Sequence, residues 1–325
     1  MRAVRIHEDG GPEVLRYEEA PDPTPAPGEV LVRLRAASLN HLDLWLRQGL
    51  PSVPKPRILG ADGAGVVAAP GDGVDGFAEG DRVVLNPGLD DGARIVGEHM
   101  DGTHADLIAV PADYVHPIPD DLSFEEAAAF PLVFATAYRM LATRAGLREG
   151  EWVLVWGIGA GVSTAALSVA KALGGRVLAT STSAEKLERA RELGADAVVR
   201  TDGDVVAEAR ALTNGAGMDV VVEHVGEATW KSSLQAARKG GRVCVCGATS
   251  GPNPPANLHR IFWKQLSVLG STMGTRDDFA TVLELIASGR VRPVIDRVFP
   301  IAEVREAHEH LERGGQLGKV VLRID

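Results

Sequence analysis

The chain has 325 residues, with 44 acidic against 34 basic side chains, a formal net charge of -10 and no block of Lys and Arg, which argues against nucleic acid and anionic membrane as partners. Its 45% hydrophobic and 24% charged residues are those of a globular protein and exclude extensive disorder. The length exceeds one hydrophobic core and suits two lobes of roughly 150 residues each.

The first third alternates short Val- and Leu-rich runs with Gly, Pro and Asp: EVLVRLRAAS, then GAGVVAAPGDGVDGFAEGDRVVL, then HADLIAVPADYVHPIP. Such punctuation predicts a compact β unit with tight turns over residues 1–122. At Ser123 the texture changes. SFEEAAAFPLVFATAYRMLATRAG has helical spacing, and Ser123 three residues before Glu126 is a helix-start signature. From Glu151, strands and helices alternate: WVLVW, GVSTAALSVAKALGG, RVLAT, SAEKLERARELGA, DAVV, DVVAEARALT, MDVVVEHVG, ATWKSSLQAARKG and GRVCVCG. That order predicts βαβ crossovers and a doubly wound parallel sheet, an α/β domain over 123–270. Over 271–325, DDFATVLELIASG and EVREAHEHLERG read as helices and GKVVLRI as a closing strand. No apolar run approaches the ~20 residues that span a bilayer, and MRAVRIHEDGG lacks a signal-type apolar stretch, so a cytoplasmic location is expected. Cys244 and Cys246, the only cysteines, are expected as small core residues on one face of a buried strand.

After WVLVW comes Gly157-Ile158-Gly159-Ala160-Gly161-Val162-Ser163, opening a helix. Glycines at a strand-to-helix turn let the backbone approach a pyrophosphate, and the helix amino terminus offers unpaired N–H groups and a favourable dipole. The set departs from G-x-G-x-x-G, with Ser163 where the last glycine falls. The end of the next strand, Ala179-Thr180-Ser181-Thr182-Ser183, has no acid until Glu185. A carboxylate there would bind the ribose hydroxyls of NAD. Hydroxyls such as that of Ser181, with Lys186 nearby as a cation, favour NADPH over NADH.

These features, with Asn40-His41-Leu42-Asp43, Arg47-Gln48-Gly49, ILGADGAGVV, GDRVV, Ala135-Thr136-Ala137-Tyr138 and Gly318-Lys319-Val320-Val321, resemble the medium-chain dehydrogenase/reductase superfamily over essentially the whole chain. The resemblance implies a β-rich GroES-like catalytic domain, a Rossmann nucleotide-binding domain and a C-terminal segment returning to the first. Zinc alcohol dehydrogenases of that superfamily carry Cys, His and Cys or Asp at the points where this chain has Asn40, Ala61 and Leu132, none of them expected to ligate zinc. The cysteine-rich structural zinc lobe is replaced by PGLDDGARIVGEH after Asn86. The chain is therefore more similar to the zinc-free quinone oxidoreductase branch, although Trp45 stands where Tyr is common. Asp62, His41, Glu98 and His99 are the residues from which an unrelated metal site would have to be built.

The resemblance implies a substrate cleft with Asn40 near the nicotinamide and substrate, Trp45 as an apolar wall, Thr136 at the nicotinamide or its ribose, and Gly247 allowing close approach of the cofactor. The glycine turn (Gly157, Gly159, Ala160, Gly161, Val162), Ser181, Lys186 and Lys319 complete the expected cofactor set. His41 and Tyr138 are candidate proton donors on chemistry alone, with solvent as the alternative. The expectation is hydride transfer from NADPH to a quinone or α,β-unsaturated carbonyl by a homodimer or homotetramer. The competing readings are an alcohol dehydrogenase with relocated ligands and a protein that holds NADPH without turnover.

Overall fold

The computed structural model describes residues 1–325, which divide into two compact units: Met1–Leu132 with Thr275–Ala287 and Arg292–Asp325, and Val133–Gly274 with Ser288–Val291.

The first unit is organised by one long strand, Glu29–Ser38. Val30, Val32 and Leu34 are buried while Arg33 and Arg35 are exposed, the two-residue period of a strand with one face on a core. Asp62–Pro70 pairs with it antiparallel, and so does Lys319–Arg323 from the end of the chain. Gly65 permits this close pairing, since a Cβ there would come within 2.0 Å of the Arg33 carbonyl oxygen. The registers place Asp62 and Val321 on either side of Ser38, so residues about 260 positions apart in the sequence meet at one end of the sheet. The core beneath is built from Val30, Val32, Leu34, Val67, Leu85 and Leu322.

Ser123 caps the Phe124–Ala128 helix as its spacing to Glu126 predicts: its hydroxyl accepts from the Glu126 N–H, and the Glu126 carboxylate accepts from the Ser123 N–H. The helix belongs to the first unit, and the Ser38 hydroxyl donates to the Ala128 carbonyl at 2.8 Å. A helix not foreseen in the sequence, His41–Arg47, follows the long strand. Asn40 and Asp43 form its capping box.

The second unit is the parallel sheet. Its six strands run in the order Ala197–Arg200, Arg176–Ser181, Trp152–Val155, Met218–Glu223, Ala237–Val245, Ser267–Gly270, every neighbouring pair parallel. The connections run one way from Trp152–Val155 and the other way from Met218–Glu223, so the sheet has its switch point between those two strands. The Glu227–Ala236 helix ends short of the predicted Gly240. Ala237 turns extended and pairs with Met218, which starts the next strand early. The Leu258–Lys264 helix lacks any buried residue, which is why helical periodicity does not reveal it. Cys244 lies in the core, but Cys246 falls one residue past the strand and is half-buried. Both are free, with burial pushing their thiols up to about 11 and about 12. No helix is long and apolar enough to cross a membrane.

Candidate active site

In the first unit, the end of the sheet carries a buried polar cluster. Asp62 is fully buried, and each of its oxygens is occupied. Oδ2 accepts from Asn40 Nδ2 at 2.9 Å and from Lys319 Nζ at 3.0 Å, while Oδ1 accepts from the Leu132 N–H at 2.8 Å. Lys319, itself 3% exposed, also donates to Asn40 Oδ1 at 2.5 Å. These partners fix the Asn40 amide: its oxygen must face the ammonium and one amide hydrogen the carboxylate, leaving the second hydrogen uncommitted to either. An unpaired buried lysine or aspartate would cost several kcal/mol, so the pair accounts for both residues lying in a core.

Asp43 stands behind Asn40. Its Oδ2 accepts from the Asn40 N–H at 2.7 Å and its Oδ1 from the Gly60 N–H at 2.9 Å, so it holds the backbone of both segments. Burial pushes its carboxyl up to about 7, against the opposing pull of those N–H donors. Further along the same core lie His104 and His308, ring centroids 6.3 Å apart, with the fully buried Arg47 donating to His308 Nδ1 and to the Glu312 carboxylate. Burial and the Lys319 charge hold His104 down at about 3, and burial, then His104 and Arg47, hold His308 well below the ordinary range, so both are neutral.

Of the three positions at which the resemblance sets zinc ligands, Asn40 and Leu132 meet at Asp62 and Ala61 precedes Asp62 in the chain; the first two offer an amide and a backbone N–H, and an alanine side chain carries no ligand atom. An ammonium already neutralises the one carboxylate among them. Such a donor set does not fit a zinc ion. Elsewhere His99 Nδ1 accepts from the Ile95 N–H at 3.1 Å, and no three His, Cys, Asp or Glu side chains come together to hold a metal.

His41 and Trp45 lie one turn apart on the short helix, both half-buried, with rings 6.4 Å apart and tilted. Lys319, expected against the cofactor, directs its ammonium to Asn40 and Asp62.

In the second unit, the glycine turn joins Trp152–Val155 to the Gly161–Ala172 helix. Gly157 at φ +56° and Gly159 at φ +133° adopt backbone conformations that side chains rarely take. Ala160 is the N-cap residue and supplies no side-chain cap, so the N–H groups of the first turn meet no acceptor from it. Ser163 replaces the last glycine without disturbing the packing: it is fully buried, with its hydroxyl 2.8 Å from the Ala160 carbonyl and 2.9 Å from that of Gly157. Thr180, at the end of the neighbouring strand, accepts from the Gly157 N–H at 3.1 Å.

Ser181 is buried and its hydroxyl accepts from the Ser183 N–H; Lys186 lies half-buried in the first turn of the Ala184–Glu192 helix. A Cβ on Gly247 would come 3.1 Å from the His224 carbonyl oxygen. Thr136 and Tyr138 share the Pro131–Tyr138 helix. Tyr138 is half-buried, whereas Thr136 Oγ1 is buried and meets no protein donor or acceptor. An uncapped helix end behind two left-handed glycines, with an unpartnered buried hydroxyl in the same unit, fits a nicotinamide dinucleotide.

Residues 26–120 match the family of alcohol dehydrogenase GroES-like domains, and residues 161–288 that of zinc-binding dehydrogenases. A zinc-type alcohol dehydrogenase-like protein of Schizosaccharomyces pombe is 36% identical, covering 100% of this chain and 99% of its own length. A quinone oxidoreductase of Pseudomonas aeruginosa is 34% identical, covering 99% of each. Among solved structures, an NAD-dependent alcohol dehydrogenase superposes with a TM-score of 0.96 at 45% identity over 100% of both chains. The chain belongs to the medium-chain dehydrogenase/reductase superfamily and is a nicotinamide-dependent oxidoreductase.

Proposed function

We propose that this protein is a zinc-independent reductase that transfers hydride from NADPH to a quinone or an α,β-unsaturated carbonyl. The observation that carries the reading is the Asn40–Asp62–Lys319 cluster, which sets a fixed ammonium and an oriented amide where a zinc alcohol dehydrogenase needs its ligands. Bound at the glycine turn, the reduced cofactor supplies the hydride. A conjugated acceptor suits this donor set because negative charge develops on an oxygen that hydrogen-bond donors can hold, whereas an alcohol must first be converted to an alkoxide, which a metal stabilises best.

In this reading the uncommitted Asn40 amide hydrogen is the donor to that oxygen. Lys319 and Asp62 are positioning residues that keep the amide from rotating. The absence of a carboxylate between Ser181 and Glu185, with Lys186 in the following turn, supports NADPH over NADH. The outer strand Ser267–Gly270 has an unpaired edge with Val268 exposed, close in sequence to the exposed Phe262 and Trp263, and supports pairing of two copies.

Steady-state assays with a quinone, an enone and a primary alcohol test the assignment. The reading predicts NADPH oxidation with the first two and negligible oxidation of the alcohol with either oxidised cofactor. Several relatives are named alcohol dehydrogenases, and efficient alcohol oxidation would move this chain to that activity.

A further inference from the structure

The carboxyl end of the parallel sheet holds a histidine that the glycine turn does not account for. His224 follows the Met218–Glu223 strand directly, on the far side of the switch point from Gly157. It lies between two glycines. A Cβ on Gly157 would come 3.8 Å from His224 Cε1, and one on Gly247 would come 3.6 Å from His224 Cβ. Just past the ends of three neighbouring strands thus stand Gly157, His224 and Gly247, and His224 supplies the only side chain of the three.

The ring has a fixed tautomer. His224 Nε2 stands 2.9 Å from the Trp156 carbonyl oxygen, which only accepts, so Nε2 carries the hydrogen and Nδ1 keeps a lone pair. No protein group donates to Nδ1. It is not sealed in either, because the enclosed and unpartnered ring nitrogens are those of His104, His116 and His308. A neutral acceptor with a locked ring therefore opens at the crevice where α/β sheets bind their ligands. Phosphate oxygens offer such an acceptor no hydrogen at neutral pH, but ribose hydroxyls do. The first strand-to-helix turn takes the pyrophosphate and the next strand, ending at Ser181, takes the adenosine ribose, so a strand across the switch point faces the other half of the dinucleotide.

We infer that His224 is a binding residue for the cofactor, accepting at Nδ1 a hydrogen bond from a hydroxyl of the ribose on the nicotinamide side. The inference rests on the glycine turn being the dinucleotide site and is independent of which acceptor the enzyme reduces. Because Trp156 immediately precedes the turn, the same histidine ties that ribose to the loop that holds the pyrophosphate.

Calorimetric titration with ADP and with ADP-ribose separates the two ideas, since only ADP-ribose carries the second ribose. His224→Leu should weaken ADP-ribose about tenfold, the value of one neutral hydrogen bond, and leave ADP unchanged. Equal losses for both ligands, or none for ADP-ribose, would overturn the inference. Failure of the wild-type protein to bind ADP at all would remove the glycine-turn reading along with it. A second readout avoids mutation of the measured protein. In histidine labelled with nitrogen-15, the His224 signals, assigned by their loss in His224→Gln, should show the Nε2-protonated tautomer and a shielding of Nδ1 on saturation with ADP-ribose but not ADP. An Nδ1 signal indifferent to ADP-ribose would contradict it.

Discussion

At the sheet end of the first unit, Asp62 takes hydrogen bonds from Asn40, Lys319 and Leu132, so the polar groups there close on one another in a core. At the head of the Gly161–Ala172 helix in the second unit the arrangement is the reverse: Ala160 offers no cap, the glycines hold no side chain over the turn, and backbone donors are left open. One region is preorganised by saturation and the other by vacancy of side chains. The first arrangement suits a site that must aim one donor at a developing charge; the second suits a site that must admit a large anionic ligand and release it.

The largest effect should come from breaking the saturated region. Lys319→Met leaves Asp62 buried and unpaired and should destabilise the protein by about 3–5 kcal/mol, read by denaturant unfolding. Replacing both partners, Asp62→Leu with Lys319→Met, should recover most of that stability without recovering turnover, because Asn40 then loses both groups that orient its amide. Recovery of turnover in the double variant would show that the pair serves the fold alone. Asn40→Ala should lower kcat by roughly 100- to 1000-fold, the range for removing one donor to a developing oxyanion, with cofactor binding by fluorescence titration unchanged.

The neighbouring histidines give the comparison a pH axis. His104 has its ordinary value of 6.5 when unfolded and about 3 when folded, so its neutral form stabilises the fold above pH 6.5 and that contribution is lost as pH falls toward 3. Asp43 runs the other way, with 3.8 unfolded and about 7 folded: its contribution is present below 3.8 and lost as pH rises through 7. The two oppose each other between those limits. A difference measurement isolates the histidine: the stability of His104→Leu relative to wild type should rise by about 2 kcal/mol from pH 7 to pH 5. A constant difference across that range would show that His104 takes up its proton over the same pH range folded and unfolded, so that the core does not hold it neutral.

The smallest expected effect tests the open region. Gly159→Ala places a side chain at φ +133° and over the turn, and should weaken NADPH binding at least about tenfold while leaving the first unit's pH behaviour intact. Unchanged affinity would mean that the dinucleotide approaches elsewhere.

This contrast also explains what was legible in the sequence. The glycine turn is local: seven consecutive residues between a strand and a helix state their conformation and their purpose together, and the alternation around them gives the parallel sheet. The Asn40–Asp62–Lys319 cluster is not local. Lys319 meets Asn40 across 279 positions and Asp62 across 257, and no spacing rule connects them. In the sequence Asp62 stands out only as a metal-ligand candidate, and Lys319 as part of a Gly-Lys-Val-Val run and as an expected cofactor residue. What brings them together is the antiparallel pairing of Lys319–Arg323 on Glu29–Ser38, a register that the sequence pattern alone leaves open. A lysine predicted on a buried strand is a usable signal in retrospect, because it demands a carboxylate partner. His224 escaped for a different reason: its role depends on the order of strands in the sheet, and MDVVVEHVG shows a strand end without saying which neighbours flank it.

In the proposed function an ammonium and an amide stand in the place of a metal. Elemental analysis of chelator-treated protein, paired with its rate of NADPH oxidation by an enone and a quinone, tests it most directly. Full activity with no stoichiometric zinc is expected, whereas zinc bound at one per chain, with activity lost on chelation and restored on its return, would contradict the proposed function.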